Sequence, residues 1–291
     1  MKLCATTVMI PECDLLETCV LLQKYGYQGV EWRVRRIPES AKNASEYSPW
    51  GKVKNDLTPE RFLKEARGIR KICDDHGLAI AAIAPQARAD QLDEVKLLVE
   101  GAAAVAGRGE RPPLVRIGAP RGYDRKVNYN VLYEEAVEAY GRAIEISRPY
   151  GVRIIMEIHN GTIMVSASLA HRIACRFDPK DIGVIYDVNN MVKDGLETPR
   201  LGMELLGPYL AHVHCGAHAP VPGERDERGA VKWKWTPAPL SDGLLHIPTV
   251  VDDLKAVGFD GFVSVEDFGP GPAEPKLAAA AAFLKKLGIG A

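Results

Sequence analysis

The chain has 291 residues, of which 46% are hydrophobic and 26% are charged, and its 37 basic and 38 acidic residues give a net charge of −1. This balance excludes a general attraction to nucleic acid or to an anionic membrane surface. The sequence lacks any apolar run near the ~18 residues of a membrane span, and its six scattered cysteines form no C-x-x-C pair. We therefore expect a cytoplasmic protein with free thiols.

A helical stretch, a glycine and a short β-rich run recur along the chain. In four of these units the glycine is expected in the left-handed conformation that ends a helix, at Gly26, Gly77, Gly151 and Gly258. Strands are predicted near residues 3–9, 29–33, 78–83, 114–117, 152–158, 182–187, 210–214 and 261–266. Helices are predicted near residues 12–25, 58–76, 91–106, 129–148, 167–176, 197–206, 248–257 and 275–287.

Eight predicted strands alternate with eight predicted helices. This alternation favours an α/β fold with a parallel sheet closed into a (β/α)8 TIM barrel, as a single domain over residues 1–291. An open, doubly wound sheet is the alternative, but no glycine-rich dinucleotide motif follows the first strand. Long connections follow the second, fourth and seventh strands, at residues 34–57, 118–128 and 215–247. In a barrel these loops lie at the C-terminal face, where active sites form.

The last four predicted strands of the barrel each end in a side chain that can bind a metal ion, namely Glu157, Asp187, His214 and Glu266. Three converging carboxylates would repel one another, and a divalent cation would remove that repulsion. An oxygen-rich set with one imidazole suits Mn²⁺, Mg²⁺ or Co²⁺, and we expect Mn²⁺. The alternative is that each side chain forms a separate salt bridge or helix cap.

Several motifs give the chain a resemblance to a known family. The segments MEIHNG, YDVNNMV, HVHCGA and PLSDGLLHIPTVVDDLKAVGFDGFVSVED resemble the xylose-isomerase-like barrel superfamily. That superfamily contains sugar phosphate isomerases and epimerases, dehydratases and a three-zinc apurinic endonuclease. The resemblance implies that Glu157, Asp187, His214 and Glu266 hold the metal, and that the two glutamates exchange protons with the substrate.

The sequence departs from the family pattern at three places. Asn190 stands where relatives often have His, Gly216 where many have Lys, and His246 where Asp is common. An amide such as that of Asn190 can hold a substrate hydroxyl. The three-zinc nucleases need several further histidines and acids, so a nucleic-acid substrate is not expected.

The expected function is a divalent-metal-dependent sugar isomerase or epimerase that acts through a cis-enediolate, with Glu157 and Glu266 as proton carriers. His159 lies on the face of Glu157, nearer the barrel rim. If His159 acts as an acid or base, the protein is instead a metal-dependent lyase on keto sugars, a dehydratase or a 3-oxo-glycoside deglycosidase. The other interpretation gives His159 only an orienting hydrogen bond. A third hypothesis is a non-catalytic barrel subunit.

The expected partner is a small-molecule sugar or sugar derivative, and a homo-oligomer or a partner subunit stays open. We predict substrate contacts from Glu31, Asn190, His246 and Trp233. For Glu31, at the end of the second strand, pairing with a nearby arginine is the alternative. The RVRR run at residues 33–36 is either solvated or binds an acidic group.

Overall fold

The computed structural model describes residues 1–290, so residue 291, which the predicted domain includes, lies outside the described part of the chain. The strands are β1 (Lys2–Thr6), β2 (Gly29–Arg33), β3 (Ala79–Ala84), β4 (Leu114–Arg116), β5 (Ile154–Glu157), β6 (Ile182–Asp187), β7 (Leu210–Cys215), β8 (His218–Arg225), β9 (Val231–Pro237) and β10 (Phe262–Val265). Eight of them form a closed barrel in the order β1-β10-β7-β6-β5-β4-β3-β2, and every pair in it is parallel.

The helices alternate with the barrel strands and surround them. They are α1 (Leu15–Lys24), α2 (Pro59–Lys64), α3 (Ala66–Asp75), α4 (Leu92–Val105), α5 (Tyr129–Ser147), α6 (Ala167–Ala174), α7 (Val188–Asp194), α8 (Pro199–Leu206), α9 (Ile247–Ala256) and α10 (Ala273–Lys286). The predicted (β/α)8 barrel is confirmed. None of these helices combines the length and the apolar character that crossing a membrane requires, within residues 1–290.

The local signals that predicted the helix ends are present in the structure. The four glycines predicted to end helices all have positive φ angles, from 65° to 72°. Thr58 caps α2 by accepting a hydrogen bond from the backbone N–H of Arg61 at 3.2 Å. Pro59 occupies the first helical position, where its missing N–H costs no hydrogen bond.

Two predicted elements differ from the structure at their boundaries. The first strand ends at Thr6 instead of residue 9, because Thr7–Met9 form a 3-10 turn that the Thr6 hydroxyl caps. The helix predicted over 58–76 is broken at Glu65, whose φ and ψ of −97° and 7° leave the helical region. The break lets α2 pack on α4, where the Phe62 ring occupies the space that a side chain at Gly101 would fill.

The long connection after β7 is an antiparallel hairpin of β8 and β9, which the sequence did not predict. Trp233 and Trp235 lie opposite Pro222 and Pro220 in this hairpin. Proline lacks the backbone N–H that a strand residue donates. The prolines of this segment therefore made the sequence look like a loop and not like a strand. Gly229, with φ of 81°, completes the turn that joins the two strands.

The barrel interior changes from apolar to polar toward the C-terminal ends of the strands. Ala82, Ile155 and Ile185 form the small apolar cluster that fills it. Side chains alternate along a strand, so Glu157 and Asp187, two residues further on, point to the same interior. The larger core lies between the sheet and the helices, and all six cysteines are free, as predicted.

Candidate metal centre

Four neighbouring barrel strands carry one polar side chain each to a common point. Glu157 ends β5, Asp187 ends β6, His214 lies near the end of β7, and Glu266 directly follows β10. These four residues, here called the central cluster, are all buried, and one ligand atom from each lies within 4.8 Å of the others. The structure thus brings together the four residues that the sequence predicted to hold a metal.

The imidazole of His214 lies between the carboxylates. Its Nδ1 is 3.0 Å from Oε1 of Glu157, 3.5 Å from Oδ2 of Asp187 and 3.6 Å from Oε2 of Glu266. Burial lowers the pKa of His214, but the surrounding carboxylates, Glu31 foremost, more than offset this and hold the pKa well above its ordinary value. In the metal-free protein the imidazole is therefore the positive centre of the cluster.

The first turn of α7 orients Asp187. Its Oδ1 accepts hydrogen bonds from the backbone N–H groups of Asn189 and Asn190, both at 2.8 Å. Its Oδ2 accepts one from the side-chain amide of Asn190 at 2.6 Å and still faces His214. Asn190 also lines the cavity above the cluster, where the sequence predicted it to contact substrate.

The two glutamates of the cluster have different surroundings. Oε2 of Glu157 accepts a hydrogen bond from Nε of Arg116 at 2.6 Å, and Arg116 in turn donates to the carbonyl of Pro85 at 2.8 Å. Burial raises the pKa of Glu157, but Arg116 and His214 outweigh it, so that the pKa lies well below its ordinary value. Burial raises the pKa of Glu266 to about 8, because the nearby carboxylates add to that effect and His214 only partly opposes it.

The donor set fits a divalent cation. Three buried carboxylates around one point repel one another unless a positive charge lies between them. Three carboxylates and one imidazole are an oxygen-rich set of the kind that Mn²⁺, Mg²⁺ and Co²⁺ accept. A carboxylate outside the cluster accepts a hydrogen bond from the other ring nitrogen of His214, as is common for metal-binding histidines.

That carboxylate belongs to Glu31, which the sequence predicted to contact the substrate. Glu31 is fully buried, and its carboxylate is 3.1 Å from Nε2 of His214 and 3.0 Å from Nε2 of His212. An ionised carboxylate only accepts hydrogen bonds, so the Nε2 atom of each histidine donates to Glu31. A metal ion would then replace only the proton on Nδ1 of His214, the ring nitrogen that faces the cluster. A substrate contact does not fit this position, and Glu31 pairs with histidines instead of an arginine.

A cavity of about 500 Å³ opens above the central cluster. Its wall includes His159, half-buried, whose Nδ1 is 2.7 Å from the backbone carbonyl of Asn160. A carbonyl can only accept, so Nδ1 carries the proton of the neutral ring and Nε2 holds the lone pair. His218 lines the same wall and its Nδ1 contacts Oδ1 of Asn189. The sequence had assigned no role to His218.

Two residues predicted to contact the substrate lie outside this cavity. Trp233, in β9, is 61% exposed, because the unpredicted hairpin carries it away from the barrel. His246 precedes α9, and its Nδ1 is 2.8 Å from the hydroxyl of Thr249. Trp50, in the connection after β2, lines the cavity instead. Nothing in the sequence distinguishes Trp50 from the other tryptophans.

Gly216, one of the positions where the sequence departs from the family pattern, has no space for a side chain. A Cβ at this position would collide with the backbone carbonyl of Glu266. The local packing of β7 against the end of β10 therefore requires glycine here.

The comparisons with known proteins agree with this architecture. A family model described as xylose isomerase-like TIM barrel matches residues 19–287. A 3-keto-D-glucoside 4-epimerase from E. coli has a TM-score of 0.69 at 14% identity, and the match covers 98% of this chain and 99% of that one. A probable 3-DHS dehydratase from Bacillus anthracis has a TM-score of 0.69 at 16% identity, with coverage of 98% and 99%.

The IOLI protein, whose structure holds a zinc atom, has a TM-score of 0.72 at 19% identity, with coverage of 99% and 98%. At these identities the likeness shows a common fold. A search of the curated proteins gives no significant match.

Proposed function

The chain belongs to the xylose isomerase-like TIM barrel family, and on that premise we propose that it is a divalent-metal-dependent enzyme that isomerises or epimerises a sugar or sugar derivative. One observation carries the proposal. Ligand atoms of Glu157, Asp187, His214 and Glu266 lie within 4.8 Å of one another beneath a cavity of about 500 Å³. A structural neighbour is a 3-keto-D-glucoside 4-epimerase, which supports the same class of reaction.

A bound divalent cation, proposed to be Mn²⁺, supplies Lewis acidity that polarises a carbonyl and stabilises enediolate charge. Glu266 removes the proton next to the carbonyl in its ionised form, which a bound cation would favour over the protonated form that burial stabilises. Its side chain lines the cavity, and no side chain among residues 1–290 donates a hydrogen bond to it. Glu157 is less suited to this step because Arg116 occupies one of its oxygens. Delivery of the proton to the neighbouring carbon, with transfer of the hydroxyl proton between the two oxygens, gives isomerisation. For epimerisation the removed proton stays on Glu266, and Glu157 delivers a different proton, taken up from solvent, to the opposite face of the same carbon.

A second candidate function is a lyase reaction, and the position of His159 favours it. Its ring lines the cavity with Nδ1 tied to Asn160, which leaves Nε2 as the atom able to take or give a proton. Elimination removes the proton on the carbon next to the carbonyl, here by Glu266, and expels the substituent on the following carbon. The leaving oxygen needs a proton, and a protonated His159 would supply it. The central cluster would hold the metal ion for either reaction.

The reaction class is tested by proton NMR of the Mn²⁺-loaded, then metal-stripped protein with candidate sugars and 3-keto-glycosides in D₂O. Deuterium entering a C–H position without loss of a group supports an isomerase or epimerase. Release of water or an aglycone supports the lyase. Absence of bound metal together with absence of any exchange would overturn both proposals and leave the non-catalytic subunit.

The variant Glu266→Gln keeps the shape of the side chain and removes its basic oxygen. We expect the rate of exchange to fall by at least about 100-fold, the usual contribution of a positioned acid or base. The matched control is Asp267→Asn, the adjacent carboxylate, which accepts a hydrogen bond from the backbone of Gly269. Full activity of Glu266→Gln would refute the assignment of this residue.

A further inference from the structure

The cavity wall contains a guanidinium that has no carboxylate partner within residues 1–290. Arg35 follows β2 and lines the cavity, yet it is only 6% exposed. Its Nη2 donates to the backbone carbonyl of Pro49 at 3.2 Å, and its Nε has no partner among residues 1–290. The guanidinium lies over the ring of Trp50, 4.9 Å from the ring centroid. The group is thus held in one orientation without being neutralised.

The neighbouring arginines show that this arrangement is particular to Arg35. Arg36 is half-exposed and forms ion pairs with Glu60 and Glu94. Arg33 is buried, and its Nη1 donates to the backbone carbonyl of Arg35 at 3.1 Å. The RVRR run is therefore solvated only at Arg36. Burial, together with Arg33 and Arg116, lowers the pKa of Arg35 to about 9, so the guanidinium is charged at neutral pH.

Arg35 forms no ion pair with a carboxylate of the site among residues 1–290. With a divalent cation bound, the three carboxylates of the cluster and that of Glu31 would carry four negative charges, and the cation, Arg116 and Arg35 would carry four positive ones. Lys193 adds a further positive side chain to the same wall. The donors of a buried guanidinium need acceptors, and an anion bound in the cavity would supply them next to Arg35 and Lys193.

We propose that the substrate carries a carboxylate group that binds Arg35, so that the enzyme acts on a sugar acid or a related polyhydroxy acid. This inference rests on the proposed function for the reaction, but it concerns binding alone. A guanidinium presents a planar pair of donors that matches a carboxylate, and stacking on Trp50 keeps that plane in place. One such group, without a glycine-rich phosphate loop, favours a carboxylate over a phosphate ester.

The test compares acids with their uncharged methyl esters. Binding of D-glucuronate, D-galacturonate and quinate, of their methyl esters, and of glucose 6-phosphate is measured by calorimetry on the Mn²⁺-loaded protein. We expect at least one acid to bind about 10- to 100-fold more tightly than its ester, as charge-assisted hydrogen bonds allow. Arg35→Gln should lose this preference, and the matched control Arg36→Gln should keep it.

Three results would overturn the proposal: no acid binds better than its ester, the preference persists in Arg35→Gln, or glucose 6-phosphate binds most tightly of all through Arg35. Arg35→Gln should keep the Mn²⁺ affinity of the wild type, since Arg35 does not contact the central cluster. If that variant fails to fold, Arg35→Lys replaces it, and we expect a smaller but measurable preference because the charge stays and the paired donors are lost.

The same measurements separate this inference from the proposed reaction. Deuterium exchange into neutral sugars without any preference for acids would refute the carboxylate and leave the isomerase proposal standing. A preference for acids that depends on Arg35, without deuterium exchange in any sugar, would support the carboxylate and refute the isomerase proposal.

Discussion

Three of the four side chains of the central cluster are held on the side that faces away from the centre, each by a different kind of group. A carboxylate holds Nε2 of His214, the backbone of α7 holds Oδ1 of Asp187, and a guanidinium holds Oε2 of Glu157. Glu266 receives no such hydrogen bond within residues 1–290. Three members of the cluster are therefore fixed in place, and the fourth, Glu266, is the one that we propose to exchange a proton.

Glu31→Gln tests whether the carboxylate behind His214 positions the ring. The amide of glutamine offers a donor where both histidines need an acceptor, so one of the two Nε2–H groups loses its partner. We expect the Mn²⁺ affinity to fall by about 10- to 100-fold, the usual effect of losing such a supporting group. Calorimetric titration measures it without reference to activity.

The matched control for this variant is Glu39→Gln, an exposed glutamate that pairs only with Lys42. Its Mn²⁺ affinity should equal that of the wild type. An unchanged affinity of Glu31→Gln would show that the barrel backbone alone orients His214.

Strand alternation allowed the sequence to predict much of the site at the level of residues. His212 and His214 were expected on one face, with His212 deeper, and the structure places both against Glu31. The partner itself could not be predicted, because 181 residues separate Glu31 from His212 in the chain. The same holds for the contact of His218 with Asn189, which joins the start of β8 to α7.

At the level of elements, local signals were reliable where the chain itself carries them. The helices before Gly77 and Gly151 end where predicted. These ends depend only on the left-handed backbone conformation of the glycine, which the sequence itself indicates. The helix α7 was not predicted, since it begins within one residue of β6 and depends on Asp187 as its cap. Asp187 therefore caps α7 with one carboxylate oxygen and faces His214 with the other. The sequence around Asp187 does not reveal the capping role.

Gly216→Ala tests the close contact between the end of β7 and the residue after β10. The added methyl group would collide with the carbonyl of Glu266, and the backbone that carries this carboxylate would have to move. We expect the free energy of unfolding to fall by about 1–3 kcal/mol, as for other overpacked sites. Urea denaturation measures this change, and the Mn²⁺ affinity should fall with it.

Gly68→Ala is the matched control, since it lies within α3 and a Cβ there meets nothing within 4 Å. This change should raise stability by about 0.5–1 kcal/mol, because alanine is the better helix former. Equal stability of Gly216→Ala and the wild type would contradict the close contact.

At the scale of the whole molecule, closure of the barrel brings the residues of the central cluster together. Glu157 and Glu266 are far apart in sequence, yet β5 and β10 lie on either side of β6 and β7 in the closed sheet. The sequence could predict that their strands end on the same rim, since all parallel strands of a barrel do so. It could not predict the path of the long connections. For this reason Trp233 was expected at the substrate cavity, whereas the structure has Trp50 there.

Because a cation would join four strands, metal binding should stabilise the entire barrel. At a free Mn²⁺ concentration 100 times its Kd, we expect the free energy of unfolding to increase by about 2.7 kcal/mol through mass action. Thermal denaturation with and without EDTA measures the effect. Identical unfolding in both conditions would contradict the metal site, and Glu266→Gln should show a smaller increase at the same Mn²⁺ concentration.

The cavity is lined by residues from two separate parts of the chain. The central cluster comes from β5 onward, whereas Arg35 and Trp50 come from the connection that follows β2. With the roles that we propose, natural variation or loop grafting in that early segment would alter which molecules bind without replacing any residue of the central cluster. Substrate selectivity could then evolve while the metal-binding residues are inherited unchanged.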